Sequence, residues 1–154
     1  MAGTETAVRR DRRGVHRWVG GALAGLAAGI AFGLYLQFAI GLFPPVDGPG
    51  GVERLATDWA VHLFHSVVFA LVYAGVASWP PAAGYADRPA TGAVLGAGYG
   101  AAVWLVAVGV ALAFWTAANA VWVLPIPTPS LASLAGHVLY GVVLGAAFAV
   151  VRRA

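Results

Sequence analysis

A chain of 154 residues with 60% hydrophobic and only 10% charged residues cannot clothe a soluble domain in polar surface, so the bilayer is its natural solvent. Every basic residue is arginine, placed at the edges of apolar segments; the net charge of +3 marks membrane boundaries and excludes nucleic acid as a partner. Cysteine is absent, which excludes disulfides, thiolate metal sites, iron–sulfur clusters and covalently attached haem.

The N-terminal segment, 1–17, carries Arg9, Arg10, Arg12, Arg13 and Arg17 and reads as an Arg-rich cytoplasmic tail. No charge interrupts the chain from Arg17 to Asp47, from Asp58 to Asp87, or from Arg88 to Arg152. A membrane helix needs about 20 apolar residues, so the first two gaps hold spans at about 18–42 and 59–79. The first apolar stretch is longer than the core of a secretory signal and reads as a retained anchor. The third gap is too long for one helix and is broken by Pro125, Pro127 and Pro129. It divides into spans at about 91–119 and 130–151, with Ser130 as a helix cap. The expected fold is therefore an all-α membrane protein with a four-helix transmembrane domain over 18–151. Arginine also dominates the central connection (Arg88) and the C-terminus (Arg152, Arg153). With four spans these lie on the same side as the tail, which puts both termini in the cytoplasm of a multi-pass protein of the cell membrane.

The spans resemble one another in pairs. Gly21, Gly25 and Gly29 align with Gly92, Gly96 and Gly100, and His62-Leu-Phe-His65 aligns with His137-Val-Leu-Tyr140. This pattern predicts an internal duplication of a helical hairpin, the two copies running parallel about an axis along the membrane normal. Four-residue spacing puts Gly21, Gly25, Gly29 and Gly33 on one helix face, Gly92, Gly96 and Gly100 on another, and Gly141 and Gly145 on a third. Such faces let neighbouring backbones approach closely, within the monomer or in a homo-oligomer.

Intramembrane polar side chains are expected to face the bundle interior. His62 and His65 stand three residues apart, His137 is the counterpart of His62, and Gln37, Tyr140 and Asn119 complete a polar cluster at the same depth. Three readings stay open. The histidines serve as hydrogen-bonding residues between helices of an accessory, structural or complex-forming subunit. Alternatively, His62 and His137 are axial ligands of a b-type haem, or His62, His65 and His137 hold a transition metal. The third reading is a small transporter or channel.

The segments His62-Leu-Phe-His65-Ser-Val-Val-Phe and Gly136-His137-Val-Leu-Tyr140-Gly-Val-Val-Leu-Gly145 resemble a family of small, uncharacterised four-span membrane proteins of halophilic archaea and some bacteria. Some members carry the label histidine kinase. The resemblance implies the four-span fold and no activity. The chain contains no nucleotide-binding loop and no room for a kinase domain, and no hydrolase motif or paired-carboxylate site can be assembled in the spans. An enzyme is not expected.

Overall fold

In the computed structural model the described residues are 2–117 and 130–153, with side chains described for 17–110 and 130–153. Among them helices are the only regular secondary structure. Helix α1 covers Ala2–Leu34 and continues into a π turn over Tyr35–Ile40; α2 is Gly51–Val76, α3 Pro80–Ala86, α4 Pro89–Ala117 and α5 Leu131–Val151. Four segments are long and apolar enough to cross a membrane: Arg17–Ile40, Gly51–Val76, Pro89–Val110 and Leu131–Val151. The chain is a multi-pass membrane protein by that measure. Asn119, Trp122 and the proline segment at 125–129 lie outside the described residues, as does the far end of the third expected span.

Local chemistry explains the helix ends. Gly41 takes a left-handed conformation (φ 67°) and its N–H donates to Leu36 O, closing the π turn before Pro44 and Pro45. Ser130 caps α5, its Oγ accepting from the Ser133 N–H at 3.0 Å. Helix α2 begins at Gly51, well before the apolar span expected from residue 59. Glu53, Arg54 and Asp58 belong to its first turns, where a charged side chain at the boundary leaves the lipid without ending the helix. Trp79 extends the backbone and Pro80 restarts it as α3, a helix that sequence patterning did not distinguish from a loop.

Helix α1 packs on α2 and α5, and α4 packs on α5. The α1–α2 seam is made of small residues. A Cβ built at Gly21 would lie 2.9 Å from Ala74 Cβ, one at Gly25 would overlap Ala70 Cβ, and one at Gly29 would lie 2.7 Å from Ser66 Cβ. The indole of Trp59 covers Gly33. At the α4–α5 seam backbone meets backbone: a Cβ at Gly92 would lie 2.6 Å from Gly145 O, one at Gly96 would overlap Gly141 O, and one at Gly100 would overlap His137 O. The reciprocal positions, Gly141 and Gly145, face Gly96 O and Gly92 O. Helix α1 enters α5 through Phe32, whose ring fills the notch left by Gly136.

The start of the first span and the end of α5 lie at the same end of the bundle. Gly20 faces Val151, Trp18 faces Gly75, and Arg152 Nη1 lies 3.1 Å from Asp87 Oδ1 in the α3–α4 elbow. The core between the hairpins is mostly aromatic: Tyr73, Tyr140 and Phe148 are buried beside Leu144, with Tyr99 packed against them.

Candidate functional site

The face of α2 turned to α1 carries Ser66, Ala70 and Ala74, all buried, and His62 lies one turn before Ser66 on the same line. His62 is accordingly half-buried. Its Nε2–H donates to Gly29 O at 2.9 Å, the tautomer assigned by the carbonyl acceptor. Three aromatic rings surround it edge-on: Phe32 at 5.4 Å between centroids, Phe43 at 5.6 Å and Trp59 at 6.1 Å. Trp59 Nε1–H donates to Gln37 Oε1 at 2.8 Å, which ties the π turn to α2. Tyr35 ties the same turn to α5, its hydroxyl donating to Ala132 O at 2.9 Å.

His137 stands on α5 across Phe32, with 5.0 Å between ring centroids, and its Nδ1–H donates to Ser133 O at 2.8 Å on its own helix. The structure thus brings His62 and His137 into edge contact with one and the same phenyl ring. Tyr140 joins them from below: it is buried, and its hydroxyl donates to Ser66 O at 2.6 Å, while Ser66 Oγ–H donates to His62 O at 2.9 Å. His65 does not converge with this group. It is exposed on the outer side of α2 beside Phe64, with its Nδ1–H donating to Val61 O at 2.8 Å. A three-residue step on a helix turns the side chain by about 60°, enough to carry His65 onto the stripe of exposed Val68, Phe69 and Val72. Asn119, expected in the cluster, lies outside the described residues.

This arrangement bears on the ligand readings. Two axial imidazoles must approach a haem iron to about 2 Å each, the usual metal–imidazole distance, with only the porphyrin plane between them. Here the Phe32 ring packs against both imidazoles, where a porphyrin would have to lie, and the Nε2 of His62 is committed to a backbone carbonyl. The residues present therefore do not fit a haem between His62 and His137. Among the described residues no three His, Cys, Asp or Glu side chains come together as a metal-binding group, so the His62, His65, His137 set is not assembled.

Sequence reasoning missed the tyrosines. Tyr99 Oη–H donates to Phe69 O at 2.6 Å, and Tyr73, packed edge-on against Tyr99 and Phe148, reaches Gly92 O at 3.4 Å. With Tyr140 they prop α2 against α4 and α5 where the backbones stand apart. Their signal was present: Tyr prefers the membrane boundary, so a mid-span Tyr points to a hydrogen-bond acceptor inside the bundle.

The chain matches no protein-family model, no curated protein and no solved structure.

Proposed function

We propose that this chain is a structural, complex-forming subunit of the cytoplasmic membrane, built from two parallel copies of one helical hairpin with both termini in the cytoplasm. The observation that carries the role is the use of the interior polar groups. His62, His137, Ser66, Tyr99 and Tyr140 each donate to a backbone carbonyl of this chain, and one aromatic side chain, Phe32, packs against both imidazoles. Such groups hold helices together and offer little to a substrate or cofactor.

The duplication is supported by the register of the two seams. Gly21 meets Ala74 and Ala70 as Gly92 meets Ala149 and Gly145; Gly25 meets Ala70 and Ser66 as Gly96 meets Gly145 and Gly141; Gly29 meets Ser66 and Gly100 meets Gly141. These contacts of one hairpin have counterparts at the aligned positions of the other, with the glycine ladder as the shared packing motif. Orientation is supported by charge. The end that holds the termini carries Arg17, Arg88, Arg152 and Arg153 against Asp87, whereas the far end carries Asp47, Glu53 and Asp58 against Arg54. A complex-forming role is supported by the side of α4 where Gly98 and Gly109 have nothing among the described residues within 4 Å and offer another helix, in a second copy or a different protein, a close approach.

The test is haem and metal analysis of the full chain purified without chelator, beside His62→Ala and His137→Ala. The expected result is no stoichiometric haem or metal in the wild type and a lowered melting temperature in both variants. A Soret band or a stoichiometric metal that both variants lose would overturn the structural reading.

A further inference from the structure

The elbow between α2 and α4 is built from residues that the hairpin packing leaves on the surface. Helix α3 seats Ala82 and Ala86 inward against α4 and α5. Outward it presents Tyr85, 61% exposed, with Trp79 at its start 64% exposed. Arg88 follows directly. Asp87 then gathers the end of α5: its carboxylate pairs with Arg152 and its carbonyl accepts from Arg153 Nε at 2.9 Å. The Arg152 guanidinium also lies over the Phe148 ring, 5.6 Å from its centroid. Two chain segments distant in sequence thus bring three arginines to one place, with a single carboxylate between them.

We infer that this elbow binds the phosphate headgroups of anionic phospholipids in the leaflet that faces the termini. Guanidinium groups match phosphate oxygens in a bidentate fork, and indole and phenol rings settle at headgroup depth. The apolar outer face of α3 beside the cations suits a lipid, which carries acyl chains with its phosphate, better than a soluble anion. The Asp87 clamp holds Arg152 and Arg153 in place before binding, so little side-chain freedom is lost on contact. The opposite end of the bundle, with its three carboxylates, lacks this complementarity. The inference rests on the membrane reading and not on the complex-forming role, so the haem and metal analysis and the experiment below fail independently.

The experiment measures thermal unfolding of the full chain in neutral detergent with added phosphatidylglycerol, phosphatidylcholine or inorganic phosphate. Phosphatidylglycerol is expected to raise the melting temperature in a saturable way, and the other two are not. The variant carrying Arg88→Gln and Arg153→Gln keeps the Arg152–Asp87 pair and is expected to lose at least half of that rise. A variant with Arg9, Arg10, Arg12 and Arg13 changed to Gln is expected to keep most of it. Native mass spectrometry supplies a readout independent of stability: fewer phosphatidylglycerol molecules retained per chain by the elbow variant than by the wild type. Equal shifts with both lipids, an unchanged shift in the elbow variant, equal lipid retention, or a loss confined to the tail variant would each overturn the assignment.

Discussion

Replacing Gly96 by alanine puts a methyl group where α4 and α5 touch backbone to backbone. The new Cβ would overlap Gly141 O and lie 2.8 Å from Gly141 C and 3.0 Å from Gly145 N, whereas ordinary contact begins near 3.4 Å. No flexible side chain can yield there, so α4 must retreat from α5 by roughly 1 Å, and a gap of that size forfeits a quarter to a half of each dispersion contact along the seam. Overpacking of this kind costs about 1–3 kcal/mol. Gly98 is the control, two residues away on the same helix with nothing among the described residues within 4 Å. Gly98→Ala relieves a glycine of its helix penalty and gains up to about 1 kcal/mol. Gly96→Ala has the same propensity gain, so the two variants should differ by the overpacking cost of about 1–3 kcal/mol, roughly 2–12 °C in melting temperature for a chain of this size. Circular dichroism melts in mild detergent measure it. Gly141→Ala strikes the same approach from the other side, since its Cβ would overlap Gly96 O. The double variant is accordingly expected to cost less than the sum of the singles. Equal melting temperatures for Gly96→Ala and Gly98→Ala would refute the argument.

Two further expectations follow from the same geometry. Tyr140→Phe removes the hydroxyl that donates to Ser66 O, and should cost about 0.5–1.5 kcal/mol in the same melts, because the carbonyl retains its own helical hydrogen bond; a cost near zero would remove Tyr140 from the struts. For topology, alkaline phosphatase fused at residue 50 should be active and a fusion at residue 85 inactive; activity at 85 would reverse the proposed orientation.

The four apolar helices were legible because charge is expensive in hydrocarbon: the gaps between Arg17, Asp47, Asp58, Asp87, Arg88 and Arg152 outline the spans directly. Their ends were less legible. The charge gap marks where lipid stops, not where hydrogen bonding stops, so α2 starts at Gly51 and α3 follows Trp79 unannounced. The approach of His62 and His137 to one site was readable from their alignment, but the ring they both touch was not, because Phe32 reads as one more lipid-facing residue until Gly136 is seen to make room for it. The exclusion of His65 was readable in retrospect. On α2 the small residues Ser66, Ala70 and Ala74 mark the packed face, and the line Phe69, Val72 and Val76 marks the lipid face. In a bilayer small size, more than polarity, tells which face meets a neighbour. His65 lies on the second line.

The proposed duplication gives the divergence of the two halves a meaning. The seams keep their counterparts, and even Tyr73 and Phe148, which align with one another, meet edge-on at 5.6 Å as residues beside a two-fold axis would. The centre does not keep them. The counterpart of Phe32 on α4 is Val103, and the counterpart of buried Tyr140 on α2 is exposed His65. Helix α1 packs directly on α5, whereas the equivalent approach of α4 to α2 is bridged by Tyr73 and Tyr99. A cofactor held on the axis by a symmetric ligand pair would constrain the centre most and the seams least. The opposite pattern, conserved seams around a centre filled with unequal aromatic side chains, is what packing alone requires: each seam admits only residues without bulk, while the middle accepts any set of rings that fills the volume and satisfies its hydroxyls.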